Sequence, residues 1–443
     1  MKKGLQSLKF SFEEDFLTHY GGLFLIQRFC NKLGFRRRLQ RQWRAAPNWS
    51  EFDPLDLTLL LLFLLIAGVQ RISKSDKLAY DGFFRSLLGL EQWPDESTLR
   101  RFLQRLSPEA IRQVARLHDQ LRQELFTLAA PRSTLSFHLD SIVLTLYGKQ
   151  QGARRGYNPK AKGRRSYHPL LCFEAHGQEF WHASLRPGDA ASNTGARHFV
   201  QRCLEKVPRS VSRSRIRFLA DAGFFSGALI EDLSQAGCGF TIVCRSYEAY
   251  RRLAEQAGFT ELKLGWAYAE FRHRPQKWAQ EHRFIAIRRP LPVDPDEARQ
   301  LTLFKDAKYS YSVLVSNLGL NPWRTWIDYA QRANIEKSFR ELRNELALSK
   351  IPSQSWTANV AFLQLLALAY NLVHWFKRLC LPPGQMLTTV ETLRHQLFGL
   401  PARLIRRGGK NILLLPRNYP HQKEFLAALA RIQKLKISTA GLV

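Results

Sequence analysis

The feature that most narrows the possible folds lies between residues 134 and 245, where the apolar pattern switches from a helical period to a period of two. The run "TLSFHLD" (134–140) puts Leu135, Phe137 and Leu139 on one face of a strand and ends on an acid. Strand-like runs follow at "SIVLTLYG" (141–148), "HPLLCFEA" (168–175) and "EFWHASLRPG" (179–188). A helical stretch, "TGARHFVQRCLEKV" (194–207), leads to the strand "RIRFLAD" (215–221), which again ends on an acid. After Gly223, the helix "SGALIEDLSQAG" (226–237) precedes the strand "FTIVCR" (240–245). Strands alternating with helices in this way predict an α/β sheet, and two of its strands terminate in carboxylates, Asp140 and Asp221.

The flanking segments have other patterns. Residues 1–130 read as helical, with punctuation at Pro54, Gly68, the turn "LLGLEQWPDES" (87–97) and Ser107-Pro108. Ser97 or Thr98 is the expected N-cap of a helix beginning "LRRFLQRL". The basic cluster "FRRRLQRQWR" (35–44) suits duplex docking and suits a solvated helix face equally well. From 246 to 325 aromatic and basic stretches mix, as in "LGWAYAEFRHRPQKWAQEHRFIAIRR" (264–289), and read as a β-rich insertion with a loop at "PLPVDPDEA" (290–298). The tail contains "ARLIRRGGKNILLLPR" (402–417), an expected hairpin turning at Gly408-Gly409. Residues 401–443 hold nine Lys+Arg against one acid, Glu424, so this end extends the basic character of the chain.

Charge points to a class of partner. The 443-residue chain carries 67 Lys+Arg against 37 Asp+Glu, a net +30 at pH 7. Self-repulsion of that size implies a polyanionic partner, most simply nucleic acid. Six Cys with no CxxC or paired zinc spacing read as buried, reduced thiols of a cytosolic protein. The start, "MKKGLQSLKFSFEEDF", lacks an apolar core, so no secretory signal is expected. Two apolar runs are expected to be buried core helices rather than membrane spans. Residues 57–69 are only thirteen long, below the roughly eighteen a span needs, and residues 360–375 carry Gln364, Asn371 and His374.

One further stretch, "DYAQRANIEKSFRELRNELAL" (328–348), aligns Tyr329, Arg332, Glu336 and Arg343 on one helix stripe. At about 100° per residue, offsets of three, seven and fourteen fall at roughly −60°, −20° and −40°. The four side chains would share an arc about 60° wide and about 21 Å long. Phosphodiester chemistry needs charge neutralisation and an activated oxygen nucleophile, which two hard cations held by carboxylates supply. Asp140, Asp221 and Glu336 are the candidate ligands, against the ordinary readings of turn-forming Asp residues and a solvated helix face.

These motifs carry a resemblance. The segment "DYAQRANIEKSFRELRNEL" resembles the Y-x2-R-x3-E-x6-K signature of bacterial DDE insertion-sequence transposases at Tyr329, Arg332 and Glu336. "FLADAGFFS" (218–226) is similar to the second-Asp motif, centred on Asp221, and "HLDSIVLTLYGKQQGARRGYNPKAKGRRSYHPLL" (138–171) to the first-Asp region, centred on Asp140. "GYNPK…YHPL" and "WPDESTLRRFL" (93–103) resemble the thirteen-eighty group within the insertion-sequence-four type. The likeness runs from about residue 5 to past residue 375. Where the signature has Lys, this chain has Arg343, which keeps the charge with a different reach and geometry.

The order of elements together with the resemblance implies a ribonuclease H-like mixed sheet in which the strands bearing Asp140 and Asp221 are neighbours. It implies a helical DNA-binding domain at 1–130, a catalytic domain at 131–245 and 326–380, the insertion at 246–325 and a basic C-terminal region at 381–443. Asp140, Asp221 and Glu336 would hold two Mg²⁺, with Mn²⁺ able to substitute. Tyr329, Arg332 and Arg343 would contact phosphates, and the acid-free run 149–165, with Arg154, Arg155, Lys160, Lys162, Arg164 and Arg165, would grip DNA or form a solvated loop. The implied partner is double-stranded DNA, both the element's inverted repeats and its target, bound by a homodimer in the bacterial cytoplasm. Among secondary candidates, Trp266, Trp278, Trp323 and Trp326 are expected to pack in the core, although the resemblance allows one to stack on a displaced base. Asp189, Glu174 and His138 are expected to be structural.

Overall fold

The strand-forming runs of the sequence assemble into one nine-stranded mixed sheet. In chain order its strands are β1 (Leu135–Ser141), β2 (Leu170–Glu174), β3 (Glu179–Ser184), β4 (Ile216–Ala220), β5 (Gly239–Val243), β6 (Thr260–Glu261), β7 (Ala267–His273), β8 (His282–Pro290) and β9 (Tyr309–Ser316). Their spatial order is β6-β7-β8-β9-β5-β4-β1-β2-β3. The computed structural model describes residues 11–43, 51–128, 134–245, 248–291, 309–385 and 388–437.

At the centre, β1 pairs in parallel with β4 and antiparallel with β2, and β4 continues in parallel to β5. Alternation dictates which face is which. Leu135, Phe137 and Leu139 of β1 join Ile216, Phe218, Ala220, Phe240 and Ile242 in one buried core under helices Ala196–Glu205, Gly227–Gln235 and Glu248–Ala257. Ser136, His138 and Asp140 point to the opposite face. The register Leu139↔Ala220 sets the two strand ends level, so Asp140 and Asp221 follow each other across the sheet.

The segment expected as an insertion continues the same sheet. Strand β9 pairs antiparallel with β5 through Leu314↔Val243, and Ala269, Phe284, Ala286, Val313 and Val315 share the core of the central strands. Most of the loop expected at 290–298 lies outside the described residues.

The second face of the sheet packs on helix Trp356–Cys380, whose Tyr370 ring lies 5.9 Å from that of Phe173. This is the one described helix long and apolar enough to cross a membrane, and 78% of its apolar window is buried within the molecule. Its polar residues have local partners. Asn371 accepts from Phe180 N (2.7 Å) and donates to Phe180 O (2.9 Å), so one side chain satisfies the free backbone edge of β3. Gln364 donates to Ala183 O at 3.5 Å, and His374 sits 3.3 Å from Glu341.

The N-terminal helices share their core with this same helix. Helix Pro54–Ala67 has its start and stop written locally: the Asp53 carboxylate accepts from Leu55 N at 2.8 Å, Pro54 occupies the first turn, and Gly68 ends it at φ 91°. The helix at 96–105 begins one cap earlier than expected. Asp95, rather than Ser97 or Thr98, is the N-cap, and its carboxylate accepts from Thr98 N at 2.6 Å. The basic stretch at 35–44 forms helix Phe35–Gln42, in which Arg38 is buried against Glu124. The expected hairpin forms between Ala402–Arg407 and Lys410–Leu414, with Gly408 at φ 57° and Gly409 at φ 73°, the left-handed pair a type I′ turn requires. Strand Leu17–Thr18 adds to its edge. All six cysteines are buried free thiols.

Candidate active site

Two of the expected carboxylates meet at the strand ends. Asp140, on the last turn of β1, accepts through Oδ1 from Ser141 N at 2.7 Å. Asp221 follows β4 and accepts through Oδ1 from Gly223 N at 2.9 Å, capping the short 3-10 turn Ala222–Phe224. Gly223 is required there, because a Cβ would come within 2.8 Å of the Ser192 side chain and 3.0 Å of the Asp221 carboxylate. Each acid therefore has one oxygen tied to the backbone and leaves Oδ2 for the site.

A cation lies between them. Arg332 Nη2 is 3.1 Å from Asp140 Oδ2 and 3.8 Å from Asp221 Oδ2, and it donates to Leu139 O at 3.1 Å. Its Nε is buried without a partner. Burial pushes the Asp140 carboxyl up to about 6; the Arg332 charge opposes that shift, while Asp221 and Glu336 add to it. Tyr329 lies beside this group, its hydroxyl pushed up by burial and held against Arg332, and its ring stacks on Trp326 at 6.2 Å. His138, one strand step before Asp140 on the same face, is buried and pushed down to about 3, first by desolvation and then by Arg332 and Arg217, so it stays neutral.

The four-residue stripe is not one uniform helix. Helix Pro322–Ala330 passes into a 3-10 turn, Gln331–Ala333, then helix Asn334–Arg340, then a π turn, Glu341–Glu345. A 3-10 residue advances about 120° instead of about 100°, so three of them rotate everything beyond by about 60°. Tyr329 and Arg332 face the carboxylates. Glu336 is exposed and reaches Asp140 only through its field, and Arg343 lies half-buried in the π turn. Among the described residues, no group of three or more His, Cys, Asp or Glu side chains is placed to hold a metal ion. The expected three-carboxylate cage is thus a two-carboxylate site closed by an arginine.

That donor set fits a hard divalent cation. Two carboxylate oxygens converge on one positive charge at the ends of adjacent parallel strands, and the guanidinium stands where such an ion would bind.

The basic run 149–165 is built into the fold rather than hanging from it. Arg165–Tyr167 is the middle strand of a small antiparallel sheet, pairing with Leu144–Thr145 on one side and Arg154–Arg155 on the other. Gly156 packs on Gly188 so closely that a Cβ would fall 2.0 Å from the Gly188 oxygen, and Tyr167 donates to Gln151 O at 2.6 Å. Lys149, Arg154, Arg155, Lys160, Lys162, Arg164 and Arg165 are all exposed on this platform.

The platform and the acids are joined by residues that the motifs did not single out. Arg186 is buried and donates to His168 O (2.9 Å), Ala191 O (2.9 Å) and Thr194 O (2.5 Å), clamping the 187–194 turn. Ser192 in that turn bonds Ser141 Oγ at 2.8 Å and borders Gly223. An Arg directly before a Pro-Gly turn was the available signal.

Trp266, Trp323 and Trp326 cluster on the sheet face beside Tyr329, with Trp266–Trp323 centroids 5.6 Å apart, and Trp278 packs on Phe225 on the other face. Glu174 is wholly buried and accepts from His176 N and Gly177 N in a turn, while Asp189 is an exposed turn residue. Neither approaches the Asp140–Asp221 pair.

No curated protein matches the sequence. Among solved structures, the fold is similar to a piggyBac transposase synaptic complex with hairpin DNA, at 11% identity over 86% of this chain and 79% of that one, with a TM-score of 0.46. The sequence matches the family described as transposase DDE domain group 1 over residues 2–437, nearly its whole length, and the chain therefore belongs to that family of DDE transposases.

Proposed function

We propose that this protein cuts DNA at the ends of a mobile element and joins the released 3′ ends to target DNA. The observation that carries the reading is the pairing of Asp140 and Asp221 at adjacent strand ends around a single cation. The antiparallel β3-β2-β1 run continued by parallel β4 and β5 supports a ribonuclease H-like catalytic core. The Tyr329, Arg332 and Glu336 spacing favours the bacterial insertion-sequence group with the YREK signature.

Asp140 and Asp221 would hold Mg²⁺, or Mn²⁺ in its place, with Glu336 joining when the 3-10 turn at Gln331–Ala333 winds into regular helix. Bound there, divalent ions neutralise charge at the scissile phosphate and activate the attacking oxygen. Arg332 keeps the two carboxylates together until then, and once displaced it reaches a flanking phosphate with two donors. Tyr329 donates its hydroxyl to the same backbone. The platform cations Arg154, Arg155, Lys160, Lys162, Arg164 and Arg165 hold duplex DNA beside the site, and Arg343 contacts the backbone farther along. Two ends must be joined in one complex, so the working assembly is a homodimer on double-stranded DNA in the bacterial cytoplasm. The division into a helical DNA-binding region (1–130), a catalytic core (131–245 and 326–380), an insertion (246–325) and a basic tail (381–443) belongs to the same reading.

A second reading, a DNA-binding relative without catalysis, is favoured by Arg343 in place of Lys and by the outward position of Glu336. A strand-transfer assay with pre-cut ends taken from the DNA flanking the gene, in Mg²⁺, separates the two. Joined product supports the transposase reading, and DNA binding with neither cleavage nor joining supports the regulator.

A further inference from the structure

The 3-10 turn Ile72–Leu78 and the segment that follows the π turn enclose a cleft of 660 Å³ that no motif marks. Arg71, Lys74, Lys77 and Lys350 line it, and no carboxylate does. Asp76, the one acid of that turn, is outside the lining. The cleft runs into a second one of 270 Å³ that shares Arg71 and Lys350, reaches Tyr147 and Gln150, and is also free of acids. Tyr147 is 83% exposed, and the Arg164 guanidinium lies 5.9 Å from its ring centre, which carries the track onto the 149–165 platform.

We infer that this track is the path of a DNA phosphate backbone across the protein. The inference rests on the transposase reading and adds the route that DNA takes to the carboxylates. Cations gathered with no acid among them repel one another, and folding alone gives no reason to assemble them. They are spread along an open trough instead of converging on a point, which suits a polymer of regularly spaced charges over a single phosphate ion. The walls are fixed: Gln70 of the lining donates to Asn344 O in the π turn, and Gln151 N donates to Gln354 O at 2.8 Å where the platform meets the core. The trough is therefore present before DNA arrives, and no ordering of loops opposes binding.

The test is the salt dependence of duplex binding by the full-length chain, read by anisotropy of a labelled oligonucleotide. Each phosphate contact contributes roughly 0.9 to the slope of log K against log salt. The triple variant Lys74→Gln, Lys77→Gln, Lys350→Gln should lower the slope by about 2 to 3, equally for unrelated sequences. Arg252→Gln, an exposed cation on helix Glu248–Ala257, outside the DNA-binding segments, should leave it unchanged. Lys74 and Lys77 are exposed, so an unchanged melting temperature serves as the check on folding. A wild-type slope in the triple variant overturns the inference and leaves the proposed function standing. Failure of the wild type to bind any duplex overturns both.

Discussion

Replacing Asp140 by Asn should reshape the dependence of stability on pH in the metal-free protein. Burial and the neighbouring Asp221 and Glu336 raise this carboxyl from its usual 3.8 to about 6, even with Arg332 at 3.1 Å. A group raised on folding holds its proton more tightly in the folded state. Its contribution is therefore complete below about pH 4 and is lost as pH rises through about 6. At about 1.36 kcal/mol per pK unit, the shift corresponds to roughly 3 kcal/mol lost between those limits. Asn keeps an oxygen for the Ser141 N–H but does not ionise, so Asp140→Asn lacks this loss. Urea denaturation of both proteins from pH 4 to pH 8 reads the difference: the variant should gain on the wild type by up to about 3 kcal/mol as pH rises. Mg²⁺ should remove most of that gap at pH 8 and have little effect at pH 4, where the wild-type acid is protonated. A wild type that gains stability relative to the variant on going from pH 5 to pH 8 without metal would refute the reasoning.

Other expectations follow from the same geometry. Arg332→Gln removes the cation that competes for the two carboxylates. Calorimetric titration of the DNA-free protein should show Mn²⁺ binding about tenfold tighter, or about 1.4 kcal/mol, while DNA cleavage weakens. Asn371→Leu leaves Phe180 N on the edge of β3 without an acceptor, while Phe180 O keeps Arg122 as a donor, and should cost about 1–3 kcal/mol in denaturant unfolding. Arg122 is almost wholly buried, bonded to Asp119 and lying 4.5 Å over the Trp181 ring, so Arg122→Ala should destabilise by about 3–5 kcal/mol in the same measurement.

Period-two alternation made the central strands legible, because half of each strand is committed to a core. An acid at the end of such a run is legible too, since burying it further would be costly. The pairing of β5 with β9 was not, because Val243 and Leu314 are far apart in the chain and no local pattern reports their register. The stripe argument assumed 3.6 residues per turn throughout. It put Glu336 with the two acids and Tyr329 and Arg332 on phosphates, whereas here Arg332 meets the acids and Glu336 is exposed; nothing in "AQRANIE" announces the 3-10 turn between them. The cap at Asp95 was misplaced by two or three residues because "PDEST" offers several oxygens at similar spacing. Arg332 could be read as a cation near the site; that it bridges both carboxylates depends on how the helix lies over the strand ends.

The most direct measurement is cleavage of the DNA that flanks this gene by Asp221→Asn, with duplex binding followed on the same preparation. If Asp221 and Asp140 form the catalytic pair, Mg²⁺-dependent cutting disappears and binding affinity is retained. Cutting at the wild-type rate would contradict the assignment of these strand-end acids to the chemistry.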